Sequence, residues 1–306
     1  MQISGQVISR NKHALKIRTQ YGVAVFSRLQ ESILAGVLLM VLLILFFGKS
    51  LFQGQVLSGA DAIYSTPFFS AIKPAGFSQS SNALLFDQVY QFTPWRYYAW
   101  NSIRNGHLPL WNPYSSAGTP FVATMQSAVF YPINLLMAFV PFKFTAVLSA
   151  ILRLWIAGMS TYLLTRRYGL LWFASIISAV SFMFSGFLIV WLGHPHTNAA
   201  IWLPAMILLA EMMITSTRPG RLAFLTGLAA LVAGTEYTGG HIETSVDILF
   251  AMALYYLVRW IMVIRPQAKP WSYKLNYLFA LPVLSAVLGA ALAAVQLAPF
   301  LEWLST

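Results

Sequence analysis

The sequence contains no cysteine at all. Disulfides, thiolate nucleophiles and thiolate metal sites are therefore excluded, although in a membrane protein that absence says little about compartment. Charge is nearly as scarce: only 9% of the 306 residues are charged, against roughly 25% in a soluble domain. Acids are the rarest, eight Asp and Glu against 19 Lys and Arg. The chain also lacks a glycine-rich phosphate loop, a dinucleotide fingerprint and any repeat of helical-array period, and its basic residues form no patch suited to DNA. Nucleotide and nucleic-acid partners drop out together. What remains is 58% apolar, the composition of a polytopic membrane protein, and the net charge of +11 acts as a topology signal because the cations flank apolar runs.

Residues 1–32 form a basic tail with Arg10, Lys12, Lys16, Arg18 and Arg28, followed by the apolar run Ile33 to Phe47. This reads as an uncleaved signal anchor whose basic flank stays in the cytoplasm. Later runs are Phe144 to Leu164, Leu170 to Leu192, Ala199 to Ile214, Leu222 to Ala233, Thr244 to Ile264 and Tyr277 to Leu297, each near the ~20 residues needed to span, with Leu222 to Ala233 the weakest. Basic and non-basic loops alternate between them. Counting Ala123 to Phe142 as a further span would put Arg166 and Arg167 outside, so that stretch, broken by Pro132 and Pro141, is expected to be re-entrant or interfacial. The expectation is an all-α bundle of about seven spans (33–306), with the amino terminus inside and a large first extracytoplasmic loop at 53–142. Ending just after an outward span, at Glu302 to Thr306, the chain reads as the amino-terminal fragment of a longer protein.

The acids, which played no part in drawing that map, gather on one side of it. Asp61, Asp87, Glu236, Glu243, Asp247 and Glu302 fall outside, and only Glu31 and Glu211 inside. The stretch from Asp87 to Pro132 sets an acid among Trp95, Trp100, Trp111 and several prolines, and such a loop of rigid aromatic faces suits sugar rings or lipid headgroups. Asp87, walled by Tyr90, Phe92 and Trp95, has the surroundings of a general base; it is equally placed to cap a helix or pair with Arg96. Asp61 is the second candidate, or a turn acid. Glu243 and Asp247 share a helix face at membrane depth, where ionisable groups usually meet a cavity or partner, or else they favour the positive end of the helix dipole. His194 and His196 suit a metal or a phosphate but lack a clear third ligand, leaving a satisfied loop as the plain alternative. Arg153 lies inside a span, where its forked donors suit a phosphate, or else it partners Asp247 or Glu243. The cytoplasmic segments are too short for a nucleotide-binding domain, so an activated substrate must arrive through the membrane.

The series GADAIY, FDQVYQFTPWRYYAWNSIRNGHLPLWNPYSSAGTPF, QSAVFYPINLL, GHPHTN, WLPAMILL and GGHIETS resembles the bacterial YfhO-like membrane proteins, a family assigned to the GT-C superfamily of polytopic glycosyltransferases. The likeness covers about residues 55–306. It implies a GT-C-like fold in the bacterial cytoplasmic membrane and transfer of a sugar from a polyprenyl-phosphate donor to an outer acceptor, a cell-wall polymer or surface glycan. By that likeness Asp87, then Asp61, is the base. Arg96, Arg104 and Arg153, with His194 and His241, are candidates for the phosphate, and Trp95, Trp111, Asn112, His196, Glu236 and Glu243 complete the substrate-binding set. No cofactor is required by this chemistry, and a divalent metal stays open. The alternative is a transporter or flippase of lipid-linked sugars, with Glu243, Asp247 and Arg153 as a charged pathway.

Overall fold

A computed structural model describes residues 27–82 and 85–305. The basic tail therefore lies outside the described residues up to Ser27. Helix α1, Arg28–Phe46, starts in a capping box, in which the Ser27 hydroxyl accepts from the Gln30 amide and the Gln30 side chain accepts from the Ser27 amide. Only 28% of its apolar stretch is buried within the protein. A helix apolar on every face and so little covered has the surface lipid requires.

The chain then folds outside any long helix. Residues 53–141 contain a 3₁₀ turn at Ala60–Ser65, a π-helical turn at Gln88–Phe92 that runs into α2, Thr93–Arg104, and a hairpin of β1, Trp111–Asn112, with β2, Thr119–Pro120. They end in the six-residue helix α3, Pro132–Met137. The expected interfacial stretch Ala123 to Phe142 thus holds turns and a short helix, and no helix of crossing length.

Helix α4, Phe142–Arg167, is the hub of the bundle, with 61% of its most apolar stretch buried. Around it stand α5, Trp172–Met183; α6, Gly186–Val190; α7, Pro195–Ala200; α8, Leu203–Ile214; α9, Pro219–Tyr237; α10, Ile242–Val263; α11, Leu281–Leu292; and α12, Ala294–Leu304. Arg166 pairs with Glu31 to tie α1 to α4, and Arg259 holds Glu211 by two bonds of 2.8 and 2.6 Å, tying α10 to α8. Glu31 and Glu211, the two acids expected on the inner side, are thus each held by an arginine. Helices α9 and α11 meet through small residues: a Cβ added to Gly289 would lie 2.8 Å from the Ala233 Cβ and 3.0 Å from the Ala230 carbonyl oxygen.

Among the described residues five helices are long and apolar enough to cross a membrane: Arg28–Phe46, Phe142–Arg167, Pro195–Ile214, Ile242–Val263 and Trp271–Leu292. A sixth is added if the pair Trp172–Met183 and Gly186–Gly193, bent by 41°, counts as one span. These apolar helices are those of a membrane protein, and the all-α class holds. The count of seven does not follow from them. The weak run Leu222 to Ala233 belongs to α9, whose Arg221, Thr226, Thr235 and Glu236 dilute its apolarity, and the run Tyr277 to Leu297 breaks at Ala293 into two helices.

The turn between α9 and α10 packs Gly239 and Gly240 against other backbone. At Gly240, φ is +90° and a Cβ would meet the Met125 carbonyl oxygen at 2.8 Å and the Ala128 Cβ at 2.9 Å. Gly240→Ala is expected to destabilise the protein by about 1–3 kcal/mol from the unfavourable φ, before the contacts are counted. Thermal unfolding in detergent reads this as a lowered Tm. An unchanged Tm would mean that this turn is not packed as described.

Candidate active site

A cavity with polar and apolar walls lies where the loop meets the bundle. It encloses about 540 Å³ and is walled by the end of α1, the 3₁₀ turn, the π-helical turn, α2, α4 and the α6 region. Its walls divide by chemistry. Phe46, Phe47, Leu57, Ile189 and Val190 give an apolar side, and Asp61, Ser81, Gln88, Arg96, Ser149 and Arg153 a polar one. An amphiphile with an anionic head has the matching division.

Two guanidiniums dominate the polar side. Arg153 is 3% exposed and donates from Nε to the Ser149 carbonyl, from Nη1 to Asn198 Oδ1 at 3.0 Å and from Nη2 to the Leu192 carbonyl at 2.8 Å. Every one of these acceptors is neutral. Asp247 and Glu243, the partners considered for it, lie on the exposed face of α10. Arg96, half-buried, donates from Nη2 to the Gly193 carbonyl at 2.9 Å, so it does not pair with Asp87 either. Burial and the nearby Arg153 charge pull Arg96 down to about 9. Buried charges cost several kcal/mol each unless they are paired, and two guanidiniums of which neither is bonded to a carboxylate have the chemistry to take an anion.

The structure separates the acids. Asp61 lines the cavity and accepts from the Ser81 amide at 2.7 Å and the Ser81 hydroxyl at 2.5 Å. These bonds hold its carboxyl below the usual carboxylate range, so it stays ionised at neutral pH. Asp87 stands at the start of the π-helical turn without capping it, is exposed, and is not among the cavity's lining residues. Phe86 and Tyr90 stack at 5.3 Å beside it. The aromatic neighbours stand beside a carboxylate that is itself exposed.

The remaining candidates fall into separate groups. Arg104 donates to the carbonyls of Ala138 and Val140, which binds α2 to the segment after α3, so its fork is spent on backbone. Asn112, 2% exposed, accepts from the Tyr114 amide and donates to Ser115 Oγ, shaping the hairpin, while Trp111 lies over Gly118. Trp95 packs edge-on against Phe92 and Phe121. Glu236 is fully buried next to Ser245, whose hydroxyl donates to it at 2.6 Å, and Glu243 is exposed and 3.5 Å from His241. His194, 1% exposed, sits one residue beyond the cavity wall at Gly193; burial and the Arg96 charge, against the pull of Asp87, bring it down to about 4, so it is neutral at pH 7. His196 stacks between Trp191 and His241, at 4.5 and 3.5 Å between ring centroids. Stacked imidazoles direct their nitrogens in neighbouring planes, and among the described residues no group of three or more His, Asp or Glu is placed to hold a metal ion.

Of the sequence candidates, then, Asp61, Arg96 and Arg153 come together in one cavity. Asn198 links this site to the α9–α10 turn, since its amide donates to the Gly239 carbonyl at 2.9 Å and its backbone carbonyl accepts from Tyr131. Sequence reasoning missed Ser81 and Asn198 because nothing local marks them, although GHPHTN ends on Asn198; Gln88 stands out in the sequence only as a polar neighbour of Asp87. Comparison with family models, curated proteins and solved structures finds no match for this chain.

Proposed function

We propose that this chain is a membrane glycosyltransferase that moves a sugar from a polyprenyl-phosphate donor to an acceptor hydroxyl on the outer face of a bacterial cytoplasmic membrane. The observation that carries the reading is the pair of guanidiniums, Arg96 and Arg153, without a carboxylate partner on the polar side of a cavity whose other side is apolar. The lipid phosphate lies against the arginines and its chain leaves past Phe46 and Phe47. The acceptor hydroxyl lies against Asp61, which takes its proton as the acceptor oxygen bonds to the sugar's anomeric carbon. The bond from that carbon to the phosphate oxygen breaks, and the polyprenyl phosphate departs with the electron pair, its charge held by the two arginines. Because Ser81 stabilises the ionised form of Asp61, position and negative charge contribute more here than basicity. Direct displacement of this kind inverts the anomeric centre, as the GT-C resemblance implies.

The flippase alternative draws less support, because Glu243 and Asp247 face outward while Arg153 is enclosed among neutral acceptors, which leaves no charge path between them. The deciding experiment compares the envelope polymers and the membrane lipids of cells with and without the gene. Loss of a hexose or N-acetylhexosamine mass from a polymer while the lipid-linked sugar accumulates on the outer leaflet is the expected result. Accumulation on the inner leaflet would replace the enzyme by the flippase.

A further inference from the structure

We propose that Gln88 recognises the uncharged hydrogen-bonding part of the bound headgroup, the hydroxyl or acylamino groups of the sugar, and so selects which sugar the cavity accepts; this rests on the lipid-phosphate reading above. Gln88 is 9% exposed and lines the cavity, and its amide makes no hydrogen bond to any described residue. That amide is not sealed off but opens onto the cavity, where it is free to bond a molecule held there.

The surroundings fix where that amide points. A Cβ on Gly193 would lie 2.3 Å from both Cδ and Nε2 of Gln88, and one on Gly59 would lie 3.0 Å from Oε1. The side chain is clamped between two glycines. Gly59 precedes the turn that carries Asp61, and the carbonyl of Gly193 holds Arg96, so the amide sits between the acceptor side and the phosphate side of the site. Gln88 also opens the π-helical turn Gln88–Phe92, and such turns re-aim a side chain and recur at functional sites. An amide both donates and accepts. Its full complement is a hydroxyl or another amide, which sugars supply; a phosphate offers only acceptors.

The test uses the full chain in nanodiscs with three probes: decaprenyl phosphate, decaprenyl-phosphate glucose and decaprenyl-phosphate N-acetylglucosamine. Gln88→Ala is expected to weaken the sugar-bearing probe that the wild type prefers by about three- to tenfold, the worth of one or two neutral hydrogen bonds, and to leave decaprenyl phosphate unchanged. Gly193→Ala keeps the amide but displaces it, at little cost because the obstructing atoms end a flexible side chain, and should give the same loss. Combined with Gln88→Ala it should add nothing, which a simple packing role does not predict. Equal weakening of all three probes, an unchanged sugar preference, or additive losses would overturn the role of Gln88. A wild type that binds decaprenyl phosphate but prefers neither sugar overturns this assignment alone; one that fails to bind decaprenyl phosphate removes the lipid-phosphate reading and the assignment with it.

Discussion

Asp61→Asn is expected to lower sugar transfer by about 10²- to 10⁴-fold, the usual effect of removing a positioned base. The asparagine oxygen can still accept from the Ser81 amide and hydroxyl, so the turn around it should fold as before. Only the charge and the proton acceptor are lost. Donor binding should persist, because the phosphate is assigned to Arg96 and Arg153. Asp87→Asn in the same assay should cost far less, since that carboxylate is exposed and off the cavity wall. A greater loss at Asp87 than at Asp61 would return the role to Asp87 and require the loop to rearrange when substrate binds.

Arg153→Met should weaken binding of a polyprenyl phosphate by about 10- to 150-fold, taking charged hydrogen bonds at ~1.5–3 kcal/mol each. Methionine keeps much of the bulk but leaves the Ser149 and Leu192 carbonyls and Asn198 Oδ1 without their donor, so a loss of stability of about 1–3 kcal/mol or more is expected beside the loss of binding. Arg153→Lys, which keeps the charge, separates the two effects. It loses the fork that reaches Asn198 and the Leu192 carbonyl, and its binding should fall between those of the wild type and Arg153→Met. If Arg153→Met unfolds the protein and Arg153→Lys binds as the wild type does, Arg153 serves only to hold α7 and the α6 region onto α4.

The bundle was legible where a single local property decides it. The runs that became α1, α4 and α10 are apolar and long, and hydropathy finds such helices without knowledge of their neighbours. The bend after Met183 and the break at Ala293 lie inside uniformly apolar runs, where hydropathy has no contrast to register. Glu211 is held by Arg259, a pairing across two helices that hydropathy alone does not show. The aromatic loop was recognisable by composition, but the ranking of its acids was not. Asp87 has aromatic neighbours in sequence, whereas the position of Asp61 depends on Ser81, twenty residues away in the chain, and on walls from α1 and α4. The forks of Arg96, Arg104 and Arg153 look alike in sequence, and only the fold shows that Arg104 spends its donors on the Ala138 and Val140 carbonyls.

The most direct test of the anion site compares decaprenyl phosphate with decaprenol, which has the same chain and no charge, by equilibrium binding to the wild-type protein in nanodiscs. The phosphate should bind at least tenfold more tightly than the alcohol at pH 7, an advantage of about 1.4 kcal/mol or more. That advantage should shrink when either Arg96 or Arg153 is replaced by methionine, because the site then loses one of its two charges. Equal binding of phosphate and alcohol at pH 7, or a phosphate preference that survives replacement of both Arg96 and Arg153 by methionine, would contradict it.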